Sequence, residues 1–153
     1  METSGTDPTD QTAGRDDELV DELRDRLSAT AFYGWIGISL DTAARAEVTI
    51  SMEIDERHVN LQGMVHGGVL ATMADVAMGL AVRTAVEPGR RHVTIEMGIH
   101  YVRPAPRGRV RATGRAVRVG DQIAYAEADL TDDDDGRLLA RASGTYSVAR
   151  ERA

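Results

Sequence analysis

The chain has 153 residues, 25 acidic and 18 basic side chains, and a formal net charge of -7. This length predicts a single domain that is large enough to bury a hydrophobic core. Cysteine is absent, which excludes disulfides, thiolate metal sites and a cysteine nucleophile. The acid excess argues against a nucleic-acid partner, which requires a basic surface.

The charged residues come from a narrow set. All 18 basic residues are arginine, lysine is absent, and aspartate outnumbers glutamate. Because excess carboxylate keeps a surface hydrated where salt screens charge within a few ångströms, we interpret this composition as halophilic, an adaptation to a salty cytoplasm. A GC-rich genome is the alternative, since it also exchanges lysine for arginine, but it does not explain the acid excess.

The N-terminal residues are polar and contain no apolar run. We interpret residues 1–15 as a disordered acidic tail and residues 16–150 as one domain. The tail lacks the apolar core of a signal peptide or membrane anchor. No stretch reaches the roughly 18 consecutive apolar residues of a membrane span. We therefore expect a cytoplasmic protein.

The first third of the domain combines a helical pattern with strand patterns. Residues 16–30 predict a helix, because leucines recur every four residues at Leu19, Leu23 and Leu27. Two strands are predicted next, over residues 36–40 and 47–54, the second with clear alternation of apolar and polar side chains. Residues 55–65 form an irregular polar loop.

A long apolar segment follows this loop. Residues 69–82 are almost entirely apolar or small and include a single charge, Asp75. A helix that is apolar on all sides is a buried helix. We therefore predict a long central helix over residues 67–84.

Four strands are predicted after this helix. The first, over residues 92–101, alternates so that Val93 and Ile95 share the apolar face and Thr94 lies on the other face. The next two strands present faces of small residues: Val110, Ala112, Gly114 and Ala116, then Ala124, Ala126, Ala128 and Leu130. Small residues let a helix lie close to a sheet. The order predicts an α+β fold in which a curved antiparallel sheet wraps around the long helix, preceded by a short N-terminal helix.

A His-Gly-Gly sequence, His66, Gly67 and Gly68, stands where the polar loop becomes the central helix. The first N–H groups of a helix lack intrahelical partners and lie at the positive end of its dipole. Glycines there let a ligand carbonyl approach the backbone closely. The segment can therefore form an oxyanion hole, the alternative being that the glycines only permit a tight turn.

The carboxylate of Asp75 lies inside the apolar helix. Such a group costs several kcal/mol of folding free energy unless it is hydrogen-bonded or paired. Candidate roles are general base, nucleophile, or orientation of a water molecule. The alternative is a structural aspartate that caps a loop or stabilises an interface.

The spacing of the two candidate groups limits how they cooperate. Nine residues separate His66 from Asp75, which corresponds to about 13 Å of helix rise. One thioester or ester group cannot contact both within a single chain. If both act on one bond, the helix start of one subunit must meet the aspartate of another, so catalysis requires at least a dimer.

Together these residues resemble a known family. Asn60, the His-Gly-Gly sequence, Asp75 and the later sequence Tyr-Val-Arg-Pro from Tyr101 are similar to those of hotdog-fold acyl-CoA thioesterases of the phenylacetate-pathway (PaaI) type. The resemblance covers roughly residues 32–149. It implies a hotdog fold, dimers and commonly homotetramers with active sites at the subunit interface, and hydrolysis of acyl-CoA thioesters.

The resemblance also implies residue roles. The Gly67 N–H would polarise the thioester carbonyl with help from Asn60 and His66, and Asp75 of the partner subunit would act as base or nucleophile. Thr94 would help to place the attacking water. No metal and no redox cofactor is implied, since coenzyme A is part of the substrate.

The coenzyme A portion of such a substrate carries phosphates that suit arginine. Its predicted contacts are Gly68 at the helix start and three arginines beside loops: Arg103, Arg107 and Arg118. The histidines outside the His-Gly-Gly sequence lack metal-ligand spacing and are interpreted as surface or structural residues: His58, His92 and His100.

Two alternatives remain open. A hotdog-type enoyl-CoA hydratase or dehydratase would need a histidine base beside an acid, whereas His66 is placed at a helix start. A non-catalytic acyl-CoA-binding sensor would usually carry a DNA-reading module, and the single acidic N-terminal helix is too little for one.

Overall fold

The computed structural model describes residues 8–150, with side chains described from Glu18 onward. It contains three α-helices: α1 (Pro8–Ala29), α2 (Ala31–Ile36) and α3 (Gly67–Ala85). The six strands are β1 (Ile38–Ala44), β2 (Glu47–Glu53), β3 (Arg90–Tyr101), β4 (Arg109–Val119), β5 (Ile123–Asp132) and β6 (Leu138–Arg150). A short 3-10 helix, Glu56–His58, lies between β2 and α3. This arrangement confirms the predicted α+β hotdog fold.

The six strands form one antiparallel sheet in the order β1-β2-β4-β5-β6-β3. The long helix α3 follows β2 in the chain and packs against one face of the sheet, and the chain then enters β3 at the opposite edge. Within the described residues, β3 pairs only with β6, so its other side is a free edge of twelve residues.

The helix α3 lies unusually close to β4. A Cβ atom built on Gly114 would lie only 2.2 Å from the carbonyl oxygen of Ala77. Met73, Ala77 and Met78 are fully shielded from solvent. By length and composition α3 would suffice to cross a membrane, but much of it is buried against the sheet, which accounts for its apolar character. The small faces predicted on β4 and β5 are therefore confirmed as the surface on which α3 packs.

The N-terminal helix begins earlier than the leucine spacing predicts. It starts at Pro8 rather than at residue 16, so residues 8–15 of the predicted tail are helical, and residues 1–7 lie outside the described residues. Proline suits the first helical turn because its missing N–H would have no partner there. The added turns are polar, and apolar periodicity therefore gave no signal for them. Leu23 and Leu27 are buried as the pattern predicts.

The predicted faces of β3 are wrong at its start. The register between β3 and β6 shifts between Thr94 and Glu96, which indicates a β-bulge. A bulge adds one residue to one strand and so reverses the faces on either side of it. Thr94 therefore faces α3, whereas Val93 and Ile95 are 64% and 55% exposed.

We predict that Gly114→Ala strongly destabilises the fold. The new methyl group would overlap the backbone of α3 at Ala77, and forced overpacking of this kind costs about 3 kcal/mol of unfolding free energy. Gly34→Ala is the matched control, because a Cβ there meets no atom within 4 Å and alanine favours the helix α2. Chemical denaturation measures both, and equal stability of the two variants would contradict the close packing.

Candidate active site

The carboxylate of Asp75 is anchored through one of its oxygens. The Thr94 hydroxyl donates to Asp75 Oδ1 at 2.9 Å, and the Tyr146 hydroxyl donates to the same oxygen at 3.2 Å. In the part of the chain that the structure describes, no donor is bonded to Oδ2. The arrangement fixes the carboxylate and leaves Oδ2 available to accept a proton or to attack.

Tyr146 is a site residue that sequence reasoning missed. It is 1% exposed, and burial, followed by the charge of Asp75, raises the pKa of its hydroxyl well above the usual value. The hydroxyl therefore stays protonated and serves as a donor. The available signal was a tyrosine on the inner face of the last strand, between Gly144 and Val148, where a buried hydroxyl needs a partner.

His92 lies in the same cleft as Asp75, although its sequence context suggested only a surface or structural residue. Its ring centroid is 6.1 Å from that of Tyr146. Burial, together with the positive charge of Arg83, lowers the pKa of His92 below 6.5, while the charge of Asp75 acts in the opposite direction. We therefore expect a neutral imidazole in the cleft of Asp75 at pH 7.

The start of α3 offers one free backbone donor. His66 caps the helix, and its Nδ1 accepts from the Gly68 N–H at 2.8 Å. A neutral ring that accepts at Nδ1 carries its proton on Nε2, which can donate to a ligand. Among the described residues no acceptor is bonded to the Gly67 N–H. Of the two glycines, Gly67 therefore supplies the free N–H, while the N–H of Gly68 serves the cap, and its contact with coenzyme A stays a prediction.

Asn60 shapes the loop that leads into α3. Its Oδ1 accepts from the backbone N–H groups of Gln62 at 2.9 Å and Met64 at 3.2 Å, which leaves its amide NH2 as a donor. The loop is joined to the core because the His66 N–H donates to the carbonyl of His58. His58 is buried with both ring nitrogens bonded to backbone, so it is structural, as interpreted.

Gly67 and Asp75 open onto different clefts. Gly67 lines a cleft of about 340 Å³ with Leu70, Tyr101 and Arg103, among others. Asp75 lines a cleft of about 390 Å³ between α1, α3 and β3. The two clefts share no lining residue. Within one chain, the free N–H and the free carboxylate oxygen thus face separate spaces, as the spacing along the helix predicts.

The three arginines predicted to bind phosphate do not form one cluster in the chain. Arg103 lines the Gly67 cleft, and its guanidinium donates to the Leu138 carbonyl at 2.8 Å. Arg107 is paired with Glu56 at 2.5 Å. Arg118 lies near the far end of β4, about 30 Å of strand beyond the β3–β4 connection. The chain instead gathers arginines at the rim of the Asp75 cleft: Arg26, Arg83, Arg90 and Arg91.

Comparison with known proteins agrees with this geometry. A family model, described as the thioesterase superfamily, matches residues 62–139, which include the start of α3, Asp75 and Thr94. The chain belongs to the thioesterase superfamily. Membership confirms the prediction of an enzyme that hydrolyses thioesters.

Individual relatives support the same placement. Human acyl-coenzyme A thioesterase 13 is 33% identical over 109 residues, which cover 71% of this chain and 77% of the human protein. The crystal structure of mouse thioesterase superfamily member 2 has a TM-score of 0.75 at 29% identity and covers 84% of this chain and 96% of that chain. The E. coli PaaI structure has a TM-score of 0.80 at 18% identity and covers 89% of this chain and 96% of that chain. This last likeness concerns the fold alone.

We predict that Tyr146→Phe lowers kcat for thioester hydrolysis about tenfold, because one of two donors to the Asp75 carboxylate is lost. KM should change little, since the ring and its packing remain. Tyr125→Phe is the matched control on the outer face of the sheet, where the side chain is 51% exposed. Steady-state kinetics measures kcat and KM, and thermal unfolding shows whether each variant is folded. An unchanged kcat for a folded Tyr146→Phe would show that the Tyr146 hydroxyl does not contribute to catalysis.

Proposed function

We propose that this member of the superfamily is an acyl-CoA thioesterase that hydrolyses acyl- or aryl-CoA to the free acid and coenzyme A. The proposal depends on two groups that the same helix presents. Asp75 has a carboxylate with one unbonded oxygen, and among the described residues the N–H of Gly67, at the helix start, has no acceptor. The name of the human relative supports acyl-CoA as the substrate class. The proposal needs no metal or redox cofactor.

The proposal includes a homodimer with shared active sites. The edge strand β3 is long, lacks a partner on its outer side within the described residues, and exposes Val93 and Ile95. Such an edge invites pairing with another strand. Two copies of β3 related by a twofold axis would cover each other's edge. This pairing would bring the Asp75 side of one subunit toward the Gly67 cleft of its partner, and a dimer of dimers could build on the same unit.

The proposed reaction uses both groups on one thioester. The Gly67 N–H, aided by Nε2–H of His66 and the amide of Asn60, stabilises negative charge on the carbonyl oxygen in the transition state. Oδ2 of Asp75 either accepts a proton from the attacking water or attacks the carbonyl carbon itself. When Asp75 is the base, the C–S bond breaks and the proton taken from water passes to the coenzyme A thiolate. When Asp75 is the nucleophile, C–S cleavage leaves an acyl-aspartyl anhydride, which a water molecule then hydrolyses to the free acid and the Asp75 carboxylate while its proton goes to the thiolate. Thr94 holds the carboxylate in place through Oδ1.

One observation favours the hydratase alternative, since His92, whose pKa is lowered, lines the same cleft as Asp75. The comparisons do not favour it, because the relatives carry thioesterase names. Product analysis on an enoyl-CoA separates the two, as hydrolysis releases a free thiol and hydration does not.

We also propose that the enzyme works in a salty cytoplasm. The exclusive use of arginine and the net charge of -7 support this. At low salt the unscreened carboxylates repel each other and weaken the compact state. Thermal unfolding should therefore occur at a higher temperature in molar KCl than in dilute buffer, and the opposite order would contradict adaptation to salt.

Asp75→Asn should lower kcat about a thousandfold, the contribution expected of a positioned base or nucleophile. Asparagine keeps the shape and can still accept from Thr94 and Tyr146, so the fold should persist. A free-thiol release assay with short, medium, long and aromatic acyl-CoA measures activity, and circular dichroism measures folding. Turnover near the wild-type rate in the folded variant would exclude this mechanism.

Gly67→Pro should lower kcat about a hundredfold, because it removes the N–H donor. Proline is favoured at the first position of a helix, and His66 has the extended backbone (φ -67, ψ 131) that a following proline requires. Gly67→Ala is the control. It keeps the N–H and adds a methyl group 3.2 Å from the Tyr101 ring, which must shift slightly. Equal activity of the two variants would show that the Gly67 N–H is not the oxyanion donor.

A further inference from the structure

The cleft that contains Asp75 has two polar ends and an apolar middle. Asp75 and its two hydroxyl donors line one end, and the guanidinium-bearing side chains of Arg26 and Arg83 line the other. The wall between them includes His92 beside Gly79 and is otherwise formed mainly by apolar and aromatic side chains: Leu23, Leu27, Tyr33, Val76 and Leu80. The cleft therefore suits an extended ligand whose middle is apolar and whose far end is polar.

The two ends lie along one helix. Asp75, Gly79 and Arg83 follow one another at intervals of one turn of α3, so about 12 Å of helix rise separates the first from the last. Gly79 has no side chain, and the ring of His92 lies beside it, since a Cβ there would lie 3.6 Å from Nε2 of His92. An acyl chain attached at the Asp75 end can thus extend along α3 toward Arg83.

Guanidinium groups are concentrated at the far end. One carboxylate oxygen of Glu22 lies 2.9 Å from Arg26 and 3.5 Å from Arg83, so a single carboxylate serves two guanidinium groups. A depression that continues from this end is lined by both arginines and by Arg90 and Arg91, and its described lining includes no acidic residue. Arg90 is itself paired with a carboxylate of the β4–β5 turn. On a chain of net charge -7, this arginine cluster is a local exception.

We propose that the basic end of the cleft binds an anionic group at the distal end of the acyl chain, so that the preferred substrates are mono-CoA thioesters of dicarboxylic acids. This inference rests on the proposed thioesterase function. A guanidinium group binds a carboxylate through two parallel, charge-assisted hydrogen bonds. The apolar wall accommodates the methylene groups, and Arg83 and Arg26 are the specificity-determining residues.

The phosphates of coenzyme A present similar anionic oxygens, and the experiment must separate the two sources. A distal carboxylate belongs to the acyl group alone, whereas the phosphates are common to every acyl-CoA. Loss of an arginine that binds the distal carboxylate therefore changes the selectivity between acyl groups. Loss of an arginine that binds a phosphate lowers kcat/KM for all acyl-CoA substrates by the same factor.

The test compares chain-matched substrates: adipyl-CoA with hexanoyl-CoA, and suberyl-CoA with octanoyl-CoA, at one fixed salt concentration. The wild-type enzyme should show a kcat/KM about tenfold or more higher for the carboxyl-terminated member of at least one pair. Arg83→Gln should lower this ratio to about one. Arg83→Lys keeps the positive charge but not the forked pair of guanidinium donors, and it should retain part of the preference. Arg137→Gln, in the β5–β6 turn and 65% exposed, is the matched control and should keep the full ratio.

Three results would overturn the inference. Equal kcat/KM for both members of each pair in the wild type would show that the distal carboxylate is not recognised. An equal loss on both members in Arg83→Gln would assign the arginine to the coenzyme A portion, and its absence with dephospho-CoA thioesters would locate the contact at the 3′-phosphate. Failure to release thiol from any of the four substrates, and from aromatic acyl-CoA, would overturn the proposed function and this inference with it.

Discussion

The close contact between α3 and β4 determines where every group of the site lies. The carbonyl oxygen of Ala77 occupies the space that a side chain at position 114 would need, so the helix can neither rotate nor move away without losing its packing. With α3 held in this way, Asp75 is directed to the hydroxyl groups of Thr94 and Tyr146 on β3 and β6. These two hydrogen bonds then set which carboxylate oxygen is free.

The same rigid helix separates the two halves of the chemistry. The free N–H of Gly67 stands at the start of α3 in one cleft, and the free oxygen of Asp75 stands more than two turns later in another. A straight helix cannot bring them together. Pairing of the exposed β3 edges of two subunits offers a way to do so, and it would also cover apolar surface that β3 exposes at Val93 and Ile95. Catalysis and assembly would then depend on one another.

Periodicity predicted the fold well because burial patterns are local in sequence. The apolar run of α3 and the small faces of β4 and β5 each carry their own signal, and their packing follows from it. Asp75 was identifiable because a charge inside an apolar helix is expensive to bury. The orientation of Thr94 was not predictable in the same way. The bulge that reverses the faces of β3 depends on its pairing with β6, and the alternation of apolar and polar residues does not reveal it.

The partners of Asp75 were also beyond sequence reasoning. Tyr146 lies 71 residues further along the chain, and only the sheet order places β6 beside β3 and under α3. The arginine cluster has the same origin, because Arg26, Arg83 and Arg90 come from α1, α3 and β3. Placement beside loops and the family resemblance instead suggested Arg103, Arg107 and Arg118, of which Arg118 lies near the far end of β4. Local patterns thus identify elements and isolated charges, whereas convergence of side chains requires the tertiary structure.

Assembly of each site from two subunits is tested most directly by mixing two inactive variants. A dimer of one Asp75→Asn chain and one Gly67→Pro chain would contain one site with both defects and one site with none. Random mixing in equal amounts should therefore restore about a quarter of the wild-type thiol-release activity, with each parent near zero. If native mass spectrometry confirms mixed dimers and no activity returns, Gly67 and Asp75 do not act on one thioester across the interface.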